Sequence, residues 1–126
     1  MEAGEFLAAL RRHTAFASAE DALRASRATL MTLGERLQGD EPRHLAAHLP
    51  PEIAQYLYGE GMGRGERLSA PDFLRRISER EGVDVETARI HARAVVEVLY
   101  QALSEAEVLD PIAAHFRGLF DGPAHR

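Results

Sequence analysis

Two histidines in the first half of the chain are spaced so that their side chains could bind one metal ion. His44 and His48 are four residues apart on a predicted helix, so both imidazoles could face one metal. Glu41 precedes His44 by three residues, as in the Glu-x-x-His motif that di-iron bundles use on two helices. The second motif is missing, because the residues three before His48, His91 and His115 are Leu45, Ala88 and Ile112 and not glutamate. We therefore expect no bound metal or cofactor.

A second histidine pattern comes from repetition. His48 and His115 each follow two alanines in segments of similar sequence. A polar residue that recurs beside small residues is typical of a cap or a hydrogen bond to a neighbouring helix end, and a symmetric ligand-binding or pH-sensing pair is the alternative. The candidates for metal or small-ligand binding are therefore His44, His48 and His115.

Two pairs of adjacent arginines could contact an anionic partner. These are Arg11 and Arg12 in the first predicted helix, and Arg75 and Arg76 at the repeat-equivalent place. Cations near a helix C-terminus also complement its dipole, which would explain them without a ligand. Neighbouring acids could pair with them: Glu20, Glu79 and Glu81.

Several catalytic chemistries lack the residues they need. The chain has no cysteine, and all of its 15 basic residues are arginine, so thiolate and Schiff-base lysine chemistry are excluded. No Gly-x-Ser-x-Gly elbow is present. The alternating glycines of residues 59–65 do not fit a dinucleotide loop, which would need glycine where Arg64 or Glu66 stands. We expect a protein that is not an enzyme.

Charge and hydropathy restrict partners and location. A net charge of −5 disfavours binding to a nucleic-acid backbone as the main activity. No stretch approaches the roughly 18 apolar residues of a membrane span, and the N-terminus has no uninterrupted apolar run of a secretory signal. We expect a soluble cytoplasmic protein.

The elements that would position these residues form an internal repeat. Residues 5–10 reappear as residues 72–77, and residues 45–49 as residues 112–116. Between them, the inner positions of one long predicted helix match those of a second: Ala22, Ser26, Leu30, Leu33 and Leu37 with Ala88, Ala92, Val96, Leu99 and Leu103. Steps of three and four residues place each of two sets on one helix face: Leu23, Ser26, Leu30, Leu33 and Leu37, and Ala88, Ala92, Val95, Leu99 and Leu103.

Local signals mark where the helices begin and end. Ser18, Ser69 and Asp84 are predicted N-caps, and Gly82 is a predicted helix end. A short element should follow Asp40 and, in the second copy, a corresponding one should follow Asp110, with Pro111 at its first helical position. A further short helix is expected at about 52–58 after two prolines.

These signals predict an all-α fold, a compact helical bundle of two tandem, pseudo-symmetric repeats with three to four helices each. The first unit would span about 4–58 and the second about 69–121, joined by a flexible glycine-rich linker at 59–68 with too little apolar surface to pack. We expect residues 1–126 to form a single domain, because units of this size are marginal alone.

The chain resembles the bacterial and archaeal DUF2267 family. The matching segments are Phe6-Leu7, residues 30–37 and residues 45–50 in the first copy, with residues 73–77, 82–83 and 92–95 in the second. The resemblance extends from about Phe6 to Phe120, and it departs at His115-Phe116-Arg117, where the family has a Leu-Pro turn. It implies a fold and brings no established function, cofactor or catalytic residue.

The leading hypothesis is a non-catalytic module that acts through protein contacts, including contacts with a second copy of itself. The alternative is a helical bundle that binds a metal or small ligand through its histidines. A third is a weak nucleic-acid binder that uses the arginine pairs.

Overall fold

The computed structural model describes residues 1–105, which form helices joined by turns and short connecting segments. The expected all-helical fold class is confirmed, since this part of the chain contains no β-strand. The helices are α1 (Ala3–His13), α2 (Ala19–Arg36), α3 (Glu41–Ala46), α4 (Pro51–Ala54), α5 (Ala70–Glu81) and α6 (Val85–Glu105), and a 3-10 turn (Gln55–Leu57) follows α4.

The helix boundaries follow the capping signals. Ser18 and Ser69 each accept a hydrogen bond on the side-chain oxygen from a backbone N–H three residues further on, at 3.1 and 3.2 Å. Asp84 accepts one in the same way at 2.8 Å, and Gly82 ends α5 with a φ of 79°. All four predicted caps are therefore confirmed. The short helices after Asp40 and Pro50 are also present, whereas the element expected after Asp110 lies outside the described residues.

The core lies where α2, α5 and α6 pack together, with α1 on α2 and α6. Phe6 of α1 and Phe73 of α5 are fully buried. The matched inner positions of the two long helices are all buried: Ala22, Ser26, Leu30, Leu33, Leu37, Ala88, Ala92, Val96, Leu99 and Leu103. The two copies therefore bury the same pattern of positions, while the pseudo-symmetric arrangement of the units stays a prediction.

The glycine-rich segment 59–68 packs along the C-terminal end of α2. The backbone N–H groups of Gly63, Gly65 and Glu66 each donate to a carbonyl at that helix end at 2.9 Å. Such carbonyls have no partner within their own helix. Its low apolar content predicts a flexible linker that does not pack, and this prediction is wrong because backbone hydrogen bonds, which do not depend on hydropathy, make the contact.

Candidate functional site

A cluster of ionised side chains joins α2, α5 and the glycine-rich segment. Glu35 accepts hydrogen bonds from Arg76 at 3.0 Å and from Arg80 at 2.8 and 2.9 Å. Arg76 also donates to both carboxylate oxygens of Glu66 at 2.9 Å, and Arg80 donates to the Thr32 hydroxyl at 2.9 Å. We call these five residues the Glu35 network.

Helical spacing and one close backbone approach position the Glu35 network. Arg76 and Arg80 are four residues apart on α5, so both reach the same side towards α2. Glu35 lies directly against Gly61, where an added Cβ would be 2.7 Å from the glutamate Cγ. A glycine at this position therefore leaves room for the Glu35 side chain beneath the two arginines.

The charges within the network balance. Burial opposes ionisation of Glu35, but hydrogen bonds from Arg80 and Arg76 outweigh it and lower its pKa. The hydrogen bonds from Arg76 lower the pKa of Glu66, and both glutamates raise the pKa of Arg76. Two carboxylates therefore neutralise two guanidinium groups, and most of the arginine donors that point inward are occupied. This arrangement suits a clamp between helices better than an anion-binding site.

The predicted arginine pairs have different surroundings. Arg11 and Arg12 are exposed and lie in the last turn of α1, where cations complement the helix dipole. The same explanation is wrong for Arg75 and Arg76, because α5 continues to Glu81 and places them in mid-helix. Arg75 pairs with an acid on its own helix at 2.5 Å.

The acids expected to pair with these arginines are not their partners. Arg75 pairs with Asp72, and Arg76 pairs with Glu35 and Glu66. Sequence reasoning missed both glutamates of the network because they are 41 and 10 residues away from Arg76. No local spacing rule reaches the first of these contacts.

The candidate histidines are not brought together as metal ligands. His44 is exposed in the last turn of α3, whereas His48 lies in the turn after that helix ends at Ala46. Four-residue spacing therefore does not place them on one helical face. His48 borders a cleft of about 420 Å³ beside Met1, and His115 lies outside the described residues. Within residues 1–105, no group of three metal-binding side chains is assembled.

A buried acid–imidazole pair was missed by the sequence analysis. Glu81, the last residue of α5, contacts Nδ1 of His91 on α6 through its Oε2. The Glu81 side chain is only 3% exposed and that of His91 15%. The ring of Phe16, in the loop between α1 and α2, lies over His91 with a centroid separation of 4.4 Å. Because burial raises the pKa of Glu81, this pair differs electrostatically from the Glu35 network.

One sequence signal could have identified His91. It is three residues after Ala88 and four before Val95, and both of these residues are fully buried. An imidazole on the buried face of a helix needs a polar partner. The identity of that partner depended on the packing of α5 against α6, which spacing alone does not give.

The outer side of α6 carries exposed apolar and charged side chains. Ile90 is 47% exposed and borders a shallow cleft of about 320 Å³ against His13 and Thr14 of the α1 end. Arg93 and Glu97 border the same cleft and are exposed. We call Ile90, Arg93 and Glu97 the α6 face.

Comparisons with known proteins give one result. No curated protein and no solved structure matches the chain. Among residues 1–105, no helix is both long and apolar enough to cross a membrane. The model of an uncharacterised conserved protein family, DUF2267, matches residues 3–118. This match includes every helix described above, and the chain therefore belongs to the DUF2267 family.

Proposed function

We propose that the chain is a non-catalytic interaction module that pairs with a second copy of itself through the α6 face. The observation that carries this proposal is an exposed isoleucine beside two side chains of opposite charge. Ile90, Arg93 and Glu97 follow one another at steps of three and four residues, so they lie along one side of the helix. No ion pair within the described residues uses Arg93 or Glu97.

The order of charges along α6 is self-complementary. Arg93 and Glu97 are equally far from Val95 in the sequence, on opposite sides of it. A two-fold axis on the exposed side of α6, at the level of Val95 along the helix and with the helices antiparallel, sets Arg93 of each copy opposite Glu97 of the other. Two-fold interfaces form each contact twice, so this register gives two ion pairs. The same register sets Ile90 opposite the partly buried Tyr100.

Other surfaces of the described part suit this role less well. Tyr58 is also exposed, but the Arg43 guanidinium lies 6.0 Å from its ring centroid. The side chains of the Glu35 network bind one another, so their charges are not free for a partner. The α6 face combines an apolar side chain, a cleft and two charges that form no ion pair with any residue of 1–105.

The expected affinity is modest. A contact between two single helices is small, and interfaces under about 1,000 Å² are typical of weak association. We expect a dissociation constant of about 10 to 100 µM, which corresponds to roughly 5.5 to 7 kcal/mol.

Light scattering and sedimentation over a wide concentration range test the proposal. The wild type should shift from monomer towards dimer, and Arg93→Glu should abolish the shift by placing two like-charged pairs across the axis. The double variant Arg93→Glu/Glu97→Arg should restore it by exchanging the charges. Arg27→Glu is the matched control, since it makes the same charge change at the repeat-equivalent, exposed position of α2.

Two results would contradict the proposal. A wild type that stays monomeric at every concentration rules out pairing. If the wild type dimerises but Arg93→Glu weakens the dimer no more than Arg27→Glu does, the α6 face is not the interface.

A further inference from the structure

The contact between Glu81 and His91 holds three parts of the molecule together. Glu81 ends α5, His91 lies on α6, and Phe16 belongs to the loop between α1 and α2. The carboxylate contacts Nδ1 of the imidazole, and the Phe16 ring covers that imidazole at a tilt of 39°. Neither the interaction module proposed above nor the Glu35 network uses this pair.

The surroundings of Glu81 are unsuited to a negative charge. Its Oε1 is buried and accepts no hydrogen bond from any described group. An ionised carboxylate is stabilised by donors to both oxygens, so an oxygen without a donor favours the neutral acid. Glu81 also sits at the C-terminal end of α5, where the helix dipole disfavours an anion.

The nearby charges do not reverse this preference. Arg24 of α2 favours the ionised form of Glu81 and Asp21 disfavours it. These two side chains pair with each other at 3.2 Å, so their effects on Glu81 partly cancel. Burial raises the pKa of Glu81, and the contact with His91 opposes that rise without overcoming it.

We propose that Glu81 and His91 form a proton-dependent latch for the Phe16 loop. In the closed state, the Glu81 carboxylic acid donates its proton in a hydrogen bond to the Nδ1 atom of His91. As the pH rises, that proton is lost to solvent. The buried carboxylate then faces an Nδ1 that carries no proton, so neither of its oxygens accepts a hydrogen bond. A buried anion is costly unless water can reach it, so the loop that carries Phe16 opens. This opening separates the Phe16 ring from His91 and hydrates the carboxylate.

The sign of the pH dependence follows from linkage. A group whose pKa is raised in the folded state contributes stability below its ordinary pKa and loses that contribution as the pH rises through the raised value. Glu81 therefore favours folding at acid pH and opposes it at alkaline pH. Glu81→Gln fixes the neutral form and removes this dependence.

NMR on the uniformly labelled chain tests the latch between pH 4 and 10. The ¹³C shift of the Glu81 carboxyl should titrate above the range of an ordinary glutamate, and cross-relaxation between the Phe16 and His91 rings should be lost over the same pH interval. In Glu81→Gln the ring contact should persist throughout. Glu79→Gln changes an exposed glutamate on the same helix and should behave as the wild type does.

Denaturation at several pH values gives an independent measurement. The ratio of the unfolding constants, wild type over Glu81→Gln, should rise with pH, by about tenfold for each unit by which folding raises the pKa of Glu81. A Glu81 carboxyl that titrates at or below the ordinary range, or a ratio that falls with pH, would show an ion pair and overturn the proposal. A ring contact that survives the titration of Glu81 would overturn the latch even if the pKa is raised.

Discussion

The outer surfaces of α2 and α6 differ although their inner faces bury matching positions. Gly34 of α2 corresponds in the predicted repeat to Tyr100 of α6. At Gly34 the backbone of Leu57 comes so close that an added Cβ would lie 2.6 Å from its carbonyl oxygen. The chain after α4 therefore packs directly on α2, at a place where α6 carries a large side chain.

The positions three residues earlier in the two helices differ in the same way. Met31 of α2 lies beside Gly59, and a Cβ added to Gly59 would be 3.5 Å from the Met31 Cγ. The corresponding residue of α6, Glu97, is exposed. The inner faces of both helices are thus buried at matching positions, and the outer face of α2 also makes internal contacts. If the repeat holds, the function of this chain is to be sought where α6 departs from α2.

The largest expected effect concerns the close approach at Gly34. Gly34→Ala forces the Leu57 backbone away from α2, and overpacking of this kind costs about 2 to 3 kcal/mol of unfolding free energy. Urea denaturation measures the loss. Gly4→Ala, with no atom within 4 Å of the new Cβ, should leave stability unchanged or raise it by up to about 1 kcal/mol. Similar results for the two variants would contradict the close approach of the Leu57 backbone to α2.

A smaller effect is expected for the Glu35 network. Glu35→Ala leaves Arg76 and Arg80 without their shared acceptor. Because these are charged hydrogen bonds at a partly solvated site, we expect the unfolding free energy to fall by about 2 kcal/mol. Glu97→Ala, on the exposed face of α6, should change the stability of the monomer by less than about 0.5 kcal/mol. Thermal denaturation at low protein concentration compares the two. An equal loss in both would mean that the α6 face is also an internal contact.

The smallest effect is a pH dependence. Because the arginines lower the pKa of Glu35, its contribution to stability is present above its ordinary pKa of 4.5 and is lost as the pH falls through the lowered value. The stability difference between the wild type and Glu35→Gln should therefore shrink with acidification below about pH 4.5. Glu97→Gln should show no such trend. Denaturation curves at pH 3 to 7 would measure both, and a growing difference in acid would contradict the assignment.

Most of the helical architecture could be predicted from the sequence because its signals are local. Ser18 and Ser69 as caps, Gly82 as a helix end and the buried positions of α2 and α6 all follow from residue type and spacing. The misplacement of His48 also has a local cause, since α3 is only six residues long and ends before it.

The site residues were harder to predict because their contacts are not local. Glu35 meets Arg80 across 45 residues, and Glu81 meets His91 across the turn between two helices. Each contact depends on how α5 packs between α2 and α6. The packing of segment 59–68 was not predicted for another reason. Backbone N–H groups of this segment donate to carbonyls at the end of α2, and amino-acid composition does not predict such hydrogen bonds.

The Glu35 network has a consequence for any attempt to divide the chain. Arg76 and Arg80 belong to the second predicted unit, while their acceptor Glu35 belongs to the first. A fragment cut within residues 59–68 would expose ionised partners that now neutralise one another, together with the apolar surface between α2 and α5. The two halves are thus mutual ligands, and separately expressed pieces would have to recognise each other to regain the fold, as in a split-protein reporter.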